Sequence, residues 1–578
     1  MLSGTLAALW MLGLLAGAPA LRTGERYSFA DRLRDALILG AGIPLALGLV
    51  NLLYPAACWI VLAACVAIAL RRTPGQGVAA GPRARPPYVL IAALALVAWP
   101  PLMRPLLDGD TLSYHLPNAA AWANAHGVWT TDPRYWWYPP GSEIFASGLF
   151  AVSGPFALGW GGFGALALIG FRVTRWTENE FGASPWLADA LGAATVSMAP
   201  LAMQAGSLQN DVWLAAFFLE SLWVLRAEPA AGARTLALTA LLKPYGWILA
   251  AVAAATARAP LRIWIAAAAA IGIWIAHDAA LWHASIVSPS SSSTANRADT
   301  LILAHGLPAL WLLVRVAAAA SPFVLPALLA AAFAPLLAGA GRRELGIAVF
   351  CAFLWFLVMP LAYADRHPQL ATGASLRYAA PALVAGALLL ARVAVRRPDA
   401  ALVLLLVCAA YGSGQILSTY WNDGGTRFAL AVAAIAVANT ALAYFKRLHW
   451  LLPAGFAAAA IVATMLAMRD PVAYYADGLR VNGRETGVYA WIARVQPQAV
   501  GAWGLRAGIV NVLDPSARAI DLPEETPCLT AAQQHVLIVA LAEGDRTDAF
   551  NAQRLRAARG CATQIRYGDG IAVAVSPR

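Results

Sequence analysis

Two carboxylates and two basic side chains stand at the edges of, or inside, strongly apolar segments of this sequence. Asp110 lies in "LLDGDTLSYHLP", Asp211 in "QNDVWLAAFF", Lys243 in "TLALTALLKPYGWILA" and Arg377 in "SLRYAAPALV". A carboxylate can serve as the general base that activates a hydroxyl group. Lysine and arginine bind phosphate and can stabilise it as a leaving group. The four residues together predict a group transfer that involves an anionic, phosphate-bearing amphiphile.

Simpler interpretations exist for three of these residues. Asp211 could only complement a helix dipole, Asp110 could be a solvated loop residue, and Arg377 could extend its charge to the membrane interface. Lys243 is harder to explain in this way, because a charge near the membrane interior costs about 2.5–3.5 kcal/mol on insertion scales. The only other lysine, Lys446, falls in a predicted cytoplasmic loop. Lys243 is therefore the strongest single indication of a functional site.

Further polar and aromatic residues lie beside the four charged ones in the sequence. We expect the following residues to contribute to substrate binding: Asp108, Tyr114, His115, Tyr138, Glu143 and Tyr378. Trp136 and Trp137 could line a groove for a sugar or a lipid, although interfacial belts are equally rich in tryptophan and tyrosine. A divalent cation held by Asp110, Asp211 and His115 stays open at this stage.

Such residues need a membrane scaffold, and the composition predicts one. Of the 578 residues, 60% are hydrophobic and 12% are charged, whereas soluble proteins have about 25% charged residues. The mean hydropathy is +0.63. We therefore predict an all-α polytopic membrane protein with roughly 13–15 membrane helices. After an N-terminal span, the predicted spans are 37–53, 55–70, 88–107, 144–171, 185–203, 212–225, 263–282, 322–340, 346–364, 378–395, 400–420, 428–445 and 451–468.

The basic residues predict the orientation of these spans. The net charge of +11 comes from short basic runs between apolar segments, which argues for topology signals and against nucleic-acid binding. We assign the clusters at 71–87, 172–176, 226–234, 341–345, 396–399 and 446–449 to the cytoplasm. The loop 106–141 then faces the outside, provided that 235–257 enters and leaves on one side. The "KPYG" at 243–246 could break a helix there.

The C-terminal segment 469–578 reads as a small extracytoplasmic α/β domain. The runs at 535–542 and 570–576 have the composition of buried strands, and 547–560 is an amphipathic helix. Cys528 and Cys561 could form a disulfide there, while Cys58, Cys65, Cys351 and Cys408 are expected to be small core residues. The first apolar segment resembles a signal peptide without a basic start, and we favour an uncleaved helix.

The motifs together resemble the GT-C superfamily of polytopic glycosyltransferases. They are similar to its group of protein O-mannosyltransferases and aminoarabinose lipid A transferases. The resemblance rests on "DTLSYHLPNAAAW" with "YPPGSEIF", on the aspartate of "QNDVWL", on "LALTALLKPYG" and on "LRYAAP", in this order. It runs from about residue 88 to 395. We therefore divide the chain into N-terminal helices with a basic loop (1–87), a catalytic membrane core (88–400), C-terminal helices (401–468) and the α/β domain (469–578).

The resemblance implies an inverting transfer of a sugar from a polyprenyl-phosphate donor on the outer face of a bacterial inner membrane. The acceptor would be a hydroxyl of a lipid, a glycan or a protein. Asp110 would be the catalytic base, Asp211 a supporting carboxylate, and Lys243 and Arg377 the phosphate ligands. Members of the group often carry two adjacent acids, whereas here the acids are spaced as "DGD". The spacing before Tyr114 favours Asp110, and Asp108 stays an alternative.

Two other functions account for part of the pattern. A transporter or flippase of an amphiphilic anion would explain the charged Lys243 and the broken helix. The sequence shows no second break in a matching repeat half, and a large outer loop with a soluble tail is unusual for that class. An oligosaccharide ligase that uses a lipid-pyrophosphate glycan would place an arginine and a histidine in a late outer loop, and "DRHPQLATGASLR" (365–377) fits that pattern.

Overall fold

The structure is a computed structural model. It describes residues 2–21, 27–72, 86–102, 108, 110–132, 138–282, 306–359, 373, 375–421, 487–503, 507–522, 527–540, 556, 562–567 and 573–577. Within them the chain is a bundle of helices followed by a small mixed sheet. The helices are α1 (Leu2–Gly17), α2 (Phe29–Leu49), α3 (Pro55–Arg72), α4 (Tyr88–Leu102), α5 (Leu116–Asn124), α6 (Gly141–Ser153), α7 (Trp160–Phe181), α8 (Pro185–Val196), α9 (Ala199–Ala202), α10 (Asp211–Ala227), α11 (Pro229–Ala240), α12 (Gly246–Thr256), α13 (Leu261–Trp282), α14 (Gly306–Ala320), α15 (Val324–Ala332), α16 (Ala334–Ala338), α17 (Arg343–Leu357), α18 (Ala380–Ala394), α19 (Pro398–Trp421), α20 (Gly487–Val495), α21 (Ala507–Leu513) and α22 (Pro527–Gln534).

The prediction of a polytopic membrane protein is confirmed. Among the described residues, six helical stretches are long and apolar enough to cross a membrane, and they share long runs without charge: Ser3–Leu21, Pro55–Arg72, Pro155–Phe181, Leu261–Leu281, Leu376–Ala394 and Pro398–Ile416. Most of the side chains between 141 and 225 are buried inside the bundle, so this part forms its core. The predicted spans 428–445 and 451–468 lie outside the described residues.

Three predictions made from the sequence differ from the structure of the bundle. The predicted span 144–171 is two helices, because the chain turns at Gly154 with a φ of 76° and only then enters α7. Helix α14 was not predicted at all, although its sequence is apolar apart from Arg315, which is exposed. The basic cluster at 172–176 lies inside α7 rather than in a loop, and Arg172 is buried.

Arg172 is buried because it belongs to an ionic network that ties the N-terminal helices to the core. Its Nε lies 2.6 Å from Glu220 of α10, and its Nη2 lies 2.5 Å from Asp31 of α2. Arg34 of α2 adds a 2.9 Å contact with Asp35 and a 3.9 Å contact with Glu220. Buried charges are tolerated only when they are paired in this way. The network therefore gives the N-terminal helices, which the sequence left without a role, a structural one.

The small α/β fold at the C-terminus is also confirmed. Five strands, β1 (Ala499–Trp503), β2 (Arg518–Asp521), β3 (Leu537–Ala540), β4 (Ala562–Tyr567) and β5 (Val573–Pro577), form one sheet in the order β2-β1-β3-β5-β4. The first three are parallel, and β5 is antiparallel to β3 and β4. The sequence predicted β3 and β5 and missed the short β1, β2 and β4. Cys561 and most of the predicted helix 547–560 lie outside the described residues, so the disulfide stays a prediction.

Candidate active site

Each of the four predicted charged residues lies at a helix end, a turn or a helix break, and these places lie close together. Asp110 precedes a π-helical turn, Thr111–His115, that leads into α5. Asp211 is the first residue of α10. Lys243 lies in the break between α11 and α12, and Arg377 lies in a 3-10 turn, Leu376–Ala379, that leads into α18. Helix ends and breaks leave main-chain polar groups open, which makes them suitable places for charged side chains.

The break at Lys243 has clear local causes. Pro244 cannot continue the hydrogen-bonded ladder of α11, and the chain closes a turn in which the Gly246 amide donates to the Lys243 carbonyl at 2.8 Å. A side chain at Gly246 would meet the Thr239 carbonyl oxygen at 2.3 Å, so only glycine fits the restart of α12. The side-chain amide of Asn210 donates through Nδ2 to the Leu242 carbonyl at 3.0 Å. That bond fixes the break next to the start of α10, and the predicted helix break is confirmed.

The four charged side chains alternate in sign along one continuous path, which we call the ionic chain (Asp110, Arg377, Asp211, Lys243). Arg377 Nη1 lies 2.5 Å from Asp110 Oδ2, and Arg377 Nε lies 3.8 Å from Asp211 Oδ2. Lys243 Nζ donates to Asp211 Oδ1 at the other end. Each predicted phosphate ligand is therefore paired with a predicted carboxylate, and the ionic chain is neutral as a whole.

Two tyrosines complete the buried end of the ionic chain. The Tyr245 hydroxyl donates to the same Asp211 oxygen as Lys243. Lys243 Nζ lies 5.2 Å from the ring centre of Tyr245 and 5.4 Å from that of Tyr378, within the range of cation–π attraction. Arg377 donates to the Tyr378 hydroxyl at 3.2 Å. The sequence predicted Tyr378 and missed Tyr245, although its place two residues after Lys243 in "KPYG" was visible.

The two halves of the ionic chain differ in exposure. The side chains of Asp211 and Lys243 are 2% and 9% exposed, whereas those of Arg377 and Asp110 are 17% and 21% exposed. Arg377 Nε is buried and has no hydrogen-bond acceptor among the described residues. Asp110 and Arg377 therefore form the accessible end of the site, whereas Arg377 Nε is buried 3.8 Å from Asp211 Oδ2.

The charge of Arg377 sets the acidity of Asp110. Burial acts to raise the pKa of the Asp110 carboxyl, but the positive charge of Arg377 and the hydrogen bond from Arg377, with a smaller contribution from the neighbouring His115, outweigh it. The pKa of Asp110 consequently lies below its ordinary value of 3.8. A carboxylate held in this way is ionised and is a weak base.

Asp108 contacts different groups from Asp110. Its Oδ1 accepts a hydrogen bond from the Thr111 amide at 2.9 Å and another from Gln209 at 3.3 Å. Burial raises the pKa of Asp108. The Thr111 hydroxyl in turn accepts from the Leu208 amide at 2.9 Å. Asp108 therefore caps the turn that carries Asp110 and ties it to the segment before α10.

His115 and Glu143 form a separate buried pair. His115 Nδ1 lies 2.5 Å from Glu143 Oε1, and the Ser142 hydroxyl donates to Glu143 Oε2 at 2.8 Å. The rings of Tyr114 and His115 lie 4.0 Å apart. Both predicted residues thus contact each other, and they link the start of α5 to the start of α6. Tyr138 lies in the turn before α6, while Trp136 and Trp137 lie outside the described residues.

Metal binding was left open by the sequence. Within the part of the chain that the structure describes, no three His, Cys, Asp or Glu side chains are grouped closely enough to hold a metal ion. Asp110, Asp211 and His115 each contact a protein partner instead.

Comparisons with known proteins find a likeness in structure. No protein-family model and no curated protein sequence matches the chain. The structural neighbours are ArnT, an aminoarabinose lipid A transferase, from Cupriavidus metallidurans in two states. The structure bound to undecaprenyl phosphate matches with a TM-score of 0.48 and 16% sequence identity over 84% of this chain and 97% of that chain. The apo structure matches with a TM-score of 0.41 at the same identity and coverage.

Proposed function

We propose that the protein is an integral membrane glycosyltransferase of the GT-C type. It transfers a sugar from a polyprenyl-phosphate donor to an acceptor hydroxyl, with inversion at the sugar carbon. The reaction takes place at the extracytoplasmic face of a bacterial inner membrane, where the loop with Asp110 and the C-terminal domain also lie. The acceptor is a hydroxyl of a lipid, a glycan or a protein.

The single observation that carries this proposal is the ionic chain. It combines two carboxylates and two cations at the ends of membrane helices, and its accessible end holds both a candidate base and a candidate phosphate ligand. A sugar phosphate needs these two groups within reach of one another, because its acceptor side and its leaving-group side react together. The apolar helices are long enough to cross a membrane, and a polyprenyl tail would lie in that membrane.

The reaction can be written with Asp110 as the base. The acceptor oxygen attacks the anomeric carbon on the face opposite the phosphate, and its proton passes to the Asp110 carboxylate. The bond between the anomeric carbon and the phosphate oxygen breaks, and polyprenyl phosphate leaves with the electron pair. Attack from the opposite face inverts the anomeric configuration. Arg377 stabilises the charge that develops on the leaving phosphate.

The neutral ionic chain implies that the donor must compete for its cations. A phosphodiester brings a negative charge, and the partly exposed guanidinium of Arg377 can contact it at the accessible end of the ionic chain. Contact with phosphate draws Arg377 away from Asp110. Arg377 is the main group that lowers the pKa of Asp110, and burial acts in the opposite direction. When Arg377 moves to the phosphate, the pKa of Asp110 therefore rises, and the carboxylate becomes a better base while the donor is bound.

Lys243 and Asp211 have supporting roles in this scheme. Their mutual contact, reinforced by the Tyr245 hydroxyl, is almost fully buried. Asp211 lies 3.8 Å from Arg377 Nε, whereas Asp110 contacts Nη1, so Asp211 keeps the guanidinium in the site when Asp110 releases it. Lys243 adds positive charge for the donor phosphate at the inner end.

The test uses the purified protein in detergent with a polyprenyl-phosphate sugar and a panel of acceptors. Release of free polyprenyl phosphate together with an inverted glycoside is expected. A transporter would move the lipid without cleaving it, and a ligase would release polyprenyl pyrophosphate from a pyrophosphate donor. Mass spectrometry of the lipid that copurifies would identify the donor, and absence of any cleavage with all donors would overturn the proposal.

A further inference from the structure

The segment that carries Asp110 is covered on one side by the C-terminal α/β domain. Helix α21 of that domain packs on the π-helical turn Thr111–His115 and on α5. Gly508, in α21, meets the main chain of Leu112, which is almost fully buried. Asp110 lies two residues before this contact, so the domain touches the turn that directs the proposed base.

The contact is an approach of two main chains that only glycine permits. A Cβ atom added at position 508 would lie 2.8 Å from the Leu112 carbonyl oxygen and 2.9 Å from its Cα. Backbone atoms cannot move aside as the end of a flexible side chain can. Glycine inside a helix costs about 0.5–1 kcal/mol relative to alanine, so Gly508 weakens α21 and allows this close approach.

Two more contacts hold the same stretch of the outer loop to the domain. The Asn124 side-chain amide, at the end of α5, donates to the Pro515 carbonyl at 2.9 Å. Arg518, at the start of β2, donates through Nε to both oxygens of Asp132 at 2.9 and 2.8 Å. The three contacts span residues 112–132 on the loop and 508–518 on the domain. They hold the segment that follows Asp110 to the domain.

The turn itself is a geometry that needs such support. A π-helical turn has a weaker intrinsic preference than an α-helix, and it occurs often at functional sites. Asp108 and Leu208 hold its first residue, Thr111, and Glu143 holds its last, His115. Gly508 contacts Leu112, which lies between Thr111 and His115 in the turn.

We propose that the C-terminal domain is a positioning element for the base of the proposed reaction, with Gly508 as its main contact and the Arg518–Asp132 ion pair as its second. The inference rests on the proposed function, since it assigns the domain to the Asp110 turn. A misplacement of about 1 Å in an active site can cost about 10²-fold in rate. The domain thus acts on the turnover of the bound substrates rather than on their binding.

Gly508→Ala is the first test, and Gly501→Ala is its matched control. The added methyl group at 508 meets main chain, whereas at 501 it meets only the side-chain ends of Leu522 and Val536 within the domain. We expect Gly508→Ala to lower kcat by about 10- to 100-fold while KM for the donor stays the same. Gly501→Ala should keep the wild-type kcat. A wild-type kcat in Gly508→Ala, or an equal loss in both variants, would overturn the inference.

Hydrogen exchange provides a readout that does not depend on sugar transfer. The amides of residues 111–124 should exchange faster in Gly508→Ala than in the wild type, while those of α10 should not change. If the wild type transfers no sugar at all, the proposed function fails, and this measurement alone decides whether the domain orders the Asp110 turn. Equal exchange in the two proteins would exclude that role.

A charge exchange separates positioning from general loss of stability. Arg518→Asp and Asp132→Arg should each lower kcat, because each places two like charges across the interface. The double variant restores an ion pair with reversed polarity, and we expect it to recover most of kcat. Failure of the double variant to exceed the two single variants, or unchanged kcat in the singles, would count against the second contact.

Discussion

Asp110 Oδ2 lies 2.5 Å from Nη1 of Arg377, so the proposed base and the proposed phosphate ligand neutralise each other in the protein without substrate. This relationship changes the meaning of both residues. The carboxylate is held ionised with a lowered pKa, and the guanidinium already has an anionic partner. In the proposed mechanism Asp110 acts as a base once the donor phosphate has replaced it at Arg377, which couples activation of the base to binding of the donor.

Replacement of Asp110 by asparagine tests the base directly. Asp110→Asn keeps the shape of the side chain and a hydrogen-bond acceptor for Arg377, but it cannot accept the acceptor's proton. We expect sugar transfer to fall by about 10²–10⁴-fold, while the protein still folds and its melting temperature in detergent falls only by what the ion pair with Arg377 contributes. Asp108→Asn is the matched control, because Asp108 only caps the turn. A stronger effect in Asp108→Asn than in Asp110→Asn would exchange their roles.

The pH dependence of the reaction should report the coupling between Arg377 and Asp110. In Arg377→Gln the positive charge is gone, and burial then raises the pKa of Asp110. Because the base must be ionised, the acidic limb of kcat/KM moves to higher pH, and activity is lost first on the acidic side. Rates measured from pH 4 to pH 9 check this, with Arg377→Lys as the control that keeps the charge. An unshifted acidic limb in Arg377→Gln would contradict the coupling.

The same ion pair predicts how stability responds to acid. The folded-state pKa of Asp110 is lowered, so its contribution to stability is complete above the unfolded value of about 3.9 and is lost as pH falls through the lowered pKa. Arg377→Gln removes this contribution. Melting curves in detergent at pH 6 and pH 3 should therefore show a larger loss on acidification for the wild type than for Asp110→Asn. Equal losses would mean that the pair does not stabilise the fold.

Lys243 should be needed for donor affinity, but its removal also takes the nearest positive charge from the buried Asp211. Removing one partner of a buried ion pair lowers the free energy of unfolding by about 3–5 kcal/mol. A loss of donor binding in Lys243→Met alone could therefore come from unfolding. The double variant Lys243→Met/Asp211→Asn removes both charges and should recover most of the stability. We expect it to bind polyprenyl phosphate at least about tenfold more weakly than the wild type, a loss of about 1.4 kcal/mol. Binding measured by native mass spectrometry decides, and unchanged affinity would remove Lys243 from the donor site.

Much of the scaffold could be predicted from the sequence, and so could the four charged residues that the structure brings into contact, because apolar runs and isolated charges are local signals. The partners of those charges could not. The sequence predicted Lys243 and Arg377 as phosphate ligands. In the structure Lys243 contacts Asp211 and Arg377 contacts Asp110, and these partners lie far away in the sequence. Arg172 was assigned to a loop because a basic residue near an apolar run usually marks one, whereas its partner Glu220 is known only from the tertiary structure.

The network around Arg172 gives a last prediction, independent of the reaction. Arg172 contacts Glu220 and Asp31 in the buried core between α2, α7 and α10. Arg172→Met leaves these carboxylates without their main partner, and we expect a loss of about 3–5 kcal/mol in the free energy of unfolding. Arg175→Met is the control from the same helix, since Arg175 has a side chain 42% exposed and a 3.4 Å contact with Glu178. Thermal unfolding in detergent measures both. The double variant Arg172→Met/Glu220→Met should recover part of the loss, and equal stability of the two single variants would show that the network does not hold the N-terminal helices.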